Sequence, residues 1–225
     1  MDESCVVWWA GPTDYSPGLD RLLSTVEVAR AARLRRPEDR IRQILGATML
    51  RLAAAAETGT PPTAVTVDRT CPTCSEPHGR PGLPGTGLHA SITHSGDLVG
   101  LALTRTGPVG LDVERVSDVD IAGLGRSVLH ADERAAPLDH DGFFAYWTRK
   151  EAVVKATGDG LRAALAEVRV SGPAEPPAVL AYPGRGRLPA VLVDLHPGIG
   201  YRAALAVLTD GPVRVDERSG ALLLQ

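Results

Sequence analysis

Lysine is nearly absent from this 225-residue chain. Of its 24 basic residues only Lys150 and Lys155 are lysine, and the rest are arginine. Other scarcities bound the molecule further. Three cysteines, Cys5, Cys71 and Cys74, are an odd number and too few for a disulfide framework. No apolar run approaches the roughly 18 residues that a helical membrane span needs, so no membrane role is expected. The opening Met1-Asp2-Glu3-Ser4-Cys5 is acidic and lacks the basic start of a secretory signal. A cytoplasmic protein with reduced thiols is the expectation. The net charge of −3 gives no global attraction for nucleic acid, which is excluded as an expected partner.

Against this background the two lysines fall within one stretch, Trp147-Thr148-Arg149-Lys150-Glu151-Ala152-Val153-Val154-Lys155. Arginine is a planar, permanently charged fork, whereas lysine is a compact ammonium whose proton affinity responds to burial. A chain that otherwise uses arginine and keeps lysine here suggests a site wanting a small cation beside a reacting atom. An exposed helix that carries two lysines by chance is the alternative. The arginines are also uneven: Arg30, Arg33, Arg35, Arg36, Arg40, Arg42 and Arg51 crowd one segment that holds only Glu27, Glu38 and Asp39 as acids. Such a segment in an acidic protein points to an anionic ligand, or else to a solvated helical face.

The coarse architecture is mixed. Val6–Ala10 reads as a strand ended by Gly11-Pro12. Pro37-Glu38-Asp39 suits a helix start, and Ile41, Ile44, Leu45, Thr48, Met49 and Leu52 carry a buried stripe to about Glu57. Thr63–Asp68 alternates like a strand, and Cys71–Gly87 reads as a loop. Ala90–Thr93 and Leu98–Leu103 form a strand pair around a His94-Ser95-Gly96-Asp97 turn, followed by a strand at Val109–Val113. Leu124–Ala136 and Asp141–Ala156 are read as helices, the second capped by Asp141 and closed by Gly158. The tail returns to strands at 167–170, 178–182, 190–195 and 201–208. Leu101-Ala102-Leu103 before Gly107-Pro108-Val109 is echoed by Leu205-Ala206-Val207 before Gly211-Pro212-Val213. The echo fits two similar α+β halves, with a seam near Gly107-Pro108 and domains at 1–107 and 108–225.

Four constellations can carry chemistry. In Gly110-Leu111-Asp112-Val113-Glu114-Arg115, Asp112 and Glu114 share one strand face. They are either hard oxygen ligands for Mg²⁺ or two wet acids on an edge strand. Trp147, Glu151 and Lys155 form one helical stripe, headed by an aromatic ring that should be partly buried, with Lys150 off it. Thr93-His94-Ser95-Gly96-Asp97 is a polar turn able to receive phosphate or merely to close a hairpin. Cys71-Pro72-Thr73-Cys74 with His78 is half a zinc site that would have to recruit His89 or Cys5, or else a reduced loop. With zinc bound, the chain would be a metal-stabilised regulator.

Together these segments resemble the Sfp-type 4′-phosphopantetheinyl transferases. Gly110-Leu111-Asp112-Val113-Glu114 and the W-x-x-K-E-A-x-x-K run from Trp147 to Lys155 carry the resemblance most specifically. Gly158-Asp159-Gly160-Leu161, Ile92-Thr93-His94-Ser95-Gly96, Gly79-Arg80-Pro81 and Glu38-Asp39-Arg40-Ile41-Arg42 add to it in the family's order. Thr93 stands where the family has Ser, Arg80 where it has Lys, and Glu27 where members often carry a further Lys.

The resemblance implies an α/β (α+β) fold of two pseudo-twofold-related halves with coenzyme A bound at their interface. It implies Mg²⁺-dependent transfer of the 4′-phosphopantetheine arm from coenzyme A to a serine of an acyl or peptidyl carrier protein, with release of 3′,5′-ADP. Asp112, Glu114 and Glu151 would hold Mg²⁺. Glu151 would serve as base, directly or through water, and Lys155 would assist the departing phosphate. Arg42 and His94 would hold the 3′-phosphate, and Arg30, Arg36 and Thr93 would also bind coenzyme A. Arg80 and Pro81 would line the adenine, and Lys150 would orient the phosphates. A monomer is expected. A non-catalytic module that binds coenzyme A or carrier protein is the alternative, although a pure binder has no need for the full acid set.

Overall fold

A computed structural model describes residues 3–71, 74–77, 79–135 and 137–225. The fold is mixed α/β, with two compact units, one of residues 4–105 and 215–225 and the other of residue 3 and 106–214.

The first unit is a five-stranded sheet with helices laid on it. Its strands are β1 (Ser4–Ala10), β2 (Gly82–Leu83), β3 (Leu88–Ser95), β4 (Leu98–Thr104) and a last strand at Arg214–Ser219, which lies beside β1 at the sheet edge. β3 and β4 pair antiparallel, with Thr93 opposite Gly100 and Ser95 opposite Leu98. The hairpin turns on Gly96-Asp97 alone, with Gly96 at φ +55°, the left-handed geometry that a two-residue loop demands. Thr93, His94 and Ser95 therefore belong to the strand, not to a four-residue turn. Helix α1 (Thr25–Ala32) is capped by Ser24, whose hydroxyl accepts from the Glu27 N–H. Helix α2 (Pro37–Thr58) starts on Pro37 with Glu38 and Asp39 in its first turn and ends at Gly59 with φ +69°. Leu45, Met49, Leu50, Ala53 and Ala54 bury its inner face with Leu101 and Val99 of β4.

The strand expected at Thr63–Asp68 is a short 3-10 turn at Pro62–Ala64 followed by irregular chain. Among the described residues its alternation finds one bridge, between Asp68 and Gly82.

In the second unit an antiparallel sheet runs in the order β5 (Val109–Arg115), β9 (Tyr201–Val207), β8 (Val191–Leu195). A small hairpin joins β6 (Arg169–Val170) to β7 (Val179–Ala181), and the Arg214–Ser219 strand of the first unit is β10. Helix α3 (Ile121–Val128) is shorter than the expected Leu124–Ala136, because Leu129 turns to extended backbone and a separate 3-10 turn follows at Asp132–Arg134. Ala136 lies outside the described residues. Helix α4 (His140–Thr157) is capped by Asp139, not Asp141, since the Asp139 carboxylate accepts from the Gly142 N–H at 2.8 Å. Gly158 at φ +76° closes it. Phe143, Ala152, Val153 and Ala156 pack with Ala204 and Ala206 of β9 to form the core. No helix among the described residues is long and apolar enough to cross a membrane.

Candidate functional site: the contact of strand β5 with helix α4

The site begins with a glycine. A Cβ on Gly110 would lie 1.9 Å from the Ala152 carbonyl oxygen and 2.4 Å from the Ala156 nitrogen. Only glycine lets α4 press directly on β5 there. Two residues on, along the same strand face, Asp112 meets the helix. The Lys155 Nζ donates to Asp112 Oδ1 at 2.6 Å and to the Leu111 carbonyl at 3.1 Å. The Asp112 side chain is 5% exposed and that of Lys155 32%, so the pair straddles the border between core and solvent.

Glu151 sits one turn before Lys155 and is half-buried. Its carboxyl is held above the usual carboxylate range, first by burial and then by the negative charge of Asp112, with Lys155 opposing. Asp112, Glu151 and Lys155 are thus within electrostatic reach of one another. Within α4 the expected stripe of Trp147, Glu151 and Lys155 is half-exposed, while Thr148, Arg149, Lys150, Ala152, Val153 and Val154 are buried. Trp147 packs edge-on against Phe143 at 5.7 Å between ring centroids.

Glu114 is half-buried on the same strand face, opposite Arg202 of β9. Arg202 is engaged by Asp141 through both guanidinium branches, Nε to Oδ1 at 2.7 Å and Nη2 to Oδ2. Of the two readings of the acid pair, the wet edge strand does not describe Asp112, which is buried although β5 is an edge strand.

Mg²⁺ is the metal that the family pattern implies. Among the described residues no three His, Cys, Asp or Glu side chains converge as a ready-made cluster, and the cation facing Asp112 is Lys155. The donor chemistry nevertheless fits a divalent ion. Asp112, Glu114 and Glu151 offer only hard oxygens, and the repulsion that raises Glu151 is of the kind such an ion relieves.

Lys150 has a different place from the one expected. It is fully buried, and its Nζ contacts Glu133 at 2.5 Å, the Val128 carbonyl at 2.8 Å and the Leu165 carbonyl at 3.1 Å. Burial lowers its proton affinity, with Glu133 pulling the other way. Glu133 in turn accepts from the backbone N–H groups of His130 and Val170. An ammonium with three oxygen partners and no exposure anchors the helix. Arg149 is anchored likewise, in a fork on Asp194 of β8 at 2.6 and 2.8 Å and on the carbonyls of Ser171 and Gly172. Neither Glu133 nor Asp194 carries a sequence signal, since no local spacing ties Glu133 to Lys150 or Asp194 to Arg149.

The remaining expected residues lie in the first unit. The Arg42 Nη1 donates to the Gly96 carbonyl at 2.6 Å and its Nη2 to Asp39, tying the start of α2 to the β3–β4 turn. His94 at the end of β3 is exposed and Thr93 buried. Arg80 and Arg36 are exposed and Pro81 is buried. Arg30 donates to the Pro77 carbonyl at 3.4 Å. Sequence reasoning passed over Arg69. Burial and the neighbouring Arg30 guanidinium bring its pKa down to about 10. Its only hint was its position just ahead of the Cys71 loop. Glu27 is buried and pairs with Arg51 at 2.8 Å.

For the zinc reading, Pro72, Thr73 and His78 lie outside the described residues. Cys71 is half-buried and Cys74 exposed. Cys5 is not available for recruitment, because it is buried in β1 and burial pushes its thiol up to about 12. His89 is half-buried, its proton affinity lowered by burial and by Arg80.

The family model described as the 4′-phosphopantetheinyl transferase superfamily matches residues 108–206, which contain both β5 and α4. The 4′-phosphopantetheinyl transferase HetI of Nostoc sp. is 32% identical over 208 residues, covering 87% of this chain and 83% of that protein. A 4′-phosphopantetheinyl transferase of Bacillus subtilis is 29% identical over 63% of this chain and 64% of its own length. The 4′-phosphopantetheinyl transferase gsp of Aneurinibacillus migulanus is 35% identical over 80 residues, 33% of either chain.

Proposed function

The chain belongs to the 4′-phosphopantetheinyl transferase superfamily, and from that premise we propose that it moves the phosphopantetheine arm of coenzyme A onto a serine of an acyl or peptidyl carrier protein, releasing 3′,5′-ADP. The observation that supports this reading most is the 2.6 Å contact of Lys155 with Asp112. It joins the two family motifs, one on a strand and one on a helix, beside the half-buried Glu151.

The reaction is the attack of an unactivated alcohol on a pyrophosphate, so positioning and charge stabilisation carry most of the rate. Asp112, Glu114 and Glu151 would hold Mg²⁺, which when bound supplies a positive charge for the phosphate oxygens. Glu151 is the base for the serine proton. The raised proton affinity that burial and Asp112 give it suits a group that must accept a proton near neutrality. Lys155 donates to the departing phosphate from the half-exposed helix face. For the nucleotide end of coenzyme A, the proposal assigns Arg42 and His94 to the 3′-phosphate and Arg80 with Pro81 to the adenine, with Arg30, Arg36 and Thr93 as further coenzyme A contacts.

Intact-mass measurement tests the proposal. Incubated with coenzyme A, Mg²⁺ and a panel of fatty-acid, polyketide and peptide carrier proteins, the enzyme should add the mass of one phosphopantetheine arm to at least one of them. Coenzyme A binding with no mass shift on any carrier would favour the non-catalytic module instead.

A further inference from the structure

The same two atoms that mark the site, Lys155 Nζ and Asp112 Oδ1, cannot remain in contact through the proposed reaction. Asp112 would be wanted by a divalent cation and Lys155 by a phosphate. We propose that Lys155 is the resident counterion of Asp112 in the metal-free enzyme, and that loading the divalent cation moves its ammonium off the carboxylate and toward the phosphate of coenzyme A. This inference rests on the metal reading given above.

Three observations carry it. First, the Asp112 side chain is 5% exposed and receives a charged donor at 2.6 Å. A carboxylate so far out of water needs a cation beside it at every stage. Second, three neighbouring charged groups cannot serve. Glu151 is like-charged and is itself raised by Asp112, while Arg202, the nearest cation on β9, is engaged by both oxygens of Asp141. Lys150 is turned to the opposite side of α4 and held by Glu133. Third, Lys155 is placed to leave. Its side chain is 32% exposed at the end of a long flexible stem, and one of its hydrogen bonds goes to the neutral Leu111 carbonyl.

The exchange also gives a reason for lysine at this position in a chain that uses arginine nearly everywhere else. A guanidinium would grip Asp112 with two parallel hydrogen bonds and compete with the metal. An ammonium holds one oxygen and can be displaced.

The test is Mn²⁺ titration of the coenzyme-A-free protein by electron paramagnetic resonance, which needs no turnover. Lys155→Met should bind Mn²⁺ roughly tenfold more tightly than wild type, the change expected when one charge-assisted hydrogen bond no longer competes. Lys155→Gln serves as a second neutral variant should the first be poorly folded. Lys155→Arg should bind more weakly than wild type. Wild-type affinity in both neutral variants, with Asp112→Asn still weakening Mn²⁺, would overturn the exchange and leave the metal reading standing. Mn²⁺ binding unaffected by Asp112→Asn would overturn the metal reading and the exchange with it.

Discussion

Lys150 and Lys155 stand on one helix, and the two sides of that helix are different media. On the inner side Lys150 has no exposure and three oxygen partners, from Glu133, Val128 and Leu165. Arg149 beside it is satisfied in the same way by Asp194 and backbone carbonyls. On the outer side Trp147, Glu151 and Lys155 are half-exposed, and Lys155 donates to Asp112 and to the Leu111 carbonyl. A buried cation costs so much desolvation that it must be fully paired and therefore cannot move. A cation at the solvent border is held less tightly and can exchange partners. Scarce lysine thus has two uses in this chain, one for fixing the helix and one for working from it.

The comparison can be broken most forcefully at the buried lysine. Lys150→Met leaves Glu133 buried without its cation and should cost about 3–5 kcal/mol of stability, read from chemical denaturation. Adding Glu133→Gln should restore part of that loss. Asp112→Ala should leave a folded protein whose transfer rate, followed by carrier-protein mass, falls by two to three orders of magnitude or about 3–4 kcal/mol in the barrier. Gly110→Ala puts a methyl into the α4 backbone and should cost about 1–3 kcal/mol or more by the same denaturation assay.

The smallest expected effect is a pH slope. The Glu151 pKa is raised in the folded protein, so between its unfolded and folded values the folded state holds the extra proton. Stability without metal should therefore fall as pH rises across that window, and Glu151→Gln should flatten the fall. A slope unchanged in the variant would remove Glu151 as its source.

How much of this was legible in the sequence differs between the two sides of α4. The outer side could be read, because the spacing of Trp147, Glu151 and Lys155 is helical and that of Asp112 and Glu114 is that of a strand. The inner side could not. Glu133 and Asp194 reach Lys150 and Arg149 only through tertiary packing, and no local period records it. The same limit explains other departures. Thr63–Asp68 alternates but pairs with strand β2 only at Asp68, too little to make a strand of it. Asp139 and Asp141 are equally good caps by type, and the choice between them rests on which carboxylate meets the Gly142 N–H. The last strand, Arg214–Ser219, lies beside β1 in the first unit, whereas chain order alone had grouped it with the second half.

The division between the two lysines is tested most directly by Lys155→Met, with stability and transfer measured on the same sample. The expected result is a stability loss smaller than that of Lys150→Met, because the ammonium removed is itself 32% exposed although Asp112 is left buried, together with a transfer rate reduced at least a hundredfold. A variant that transfers at the wild-type rate, or one that loses as much stability as Lys150→Met, would contradict it.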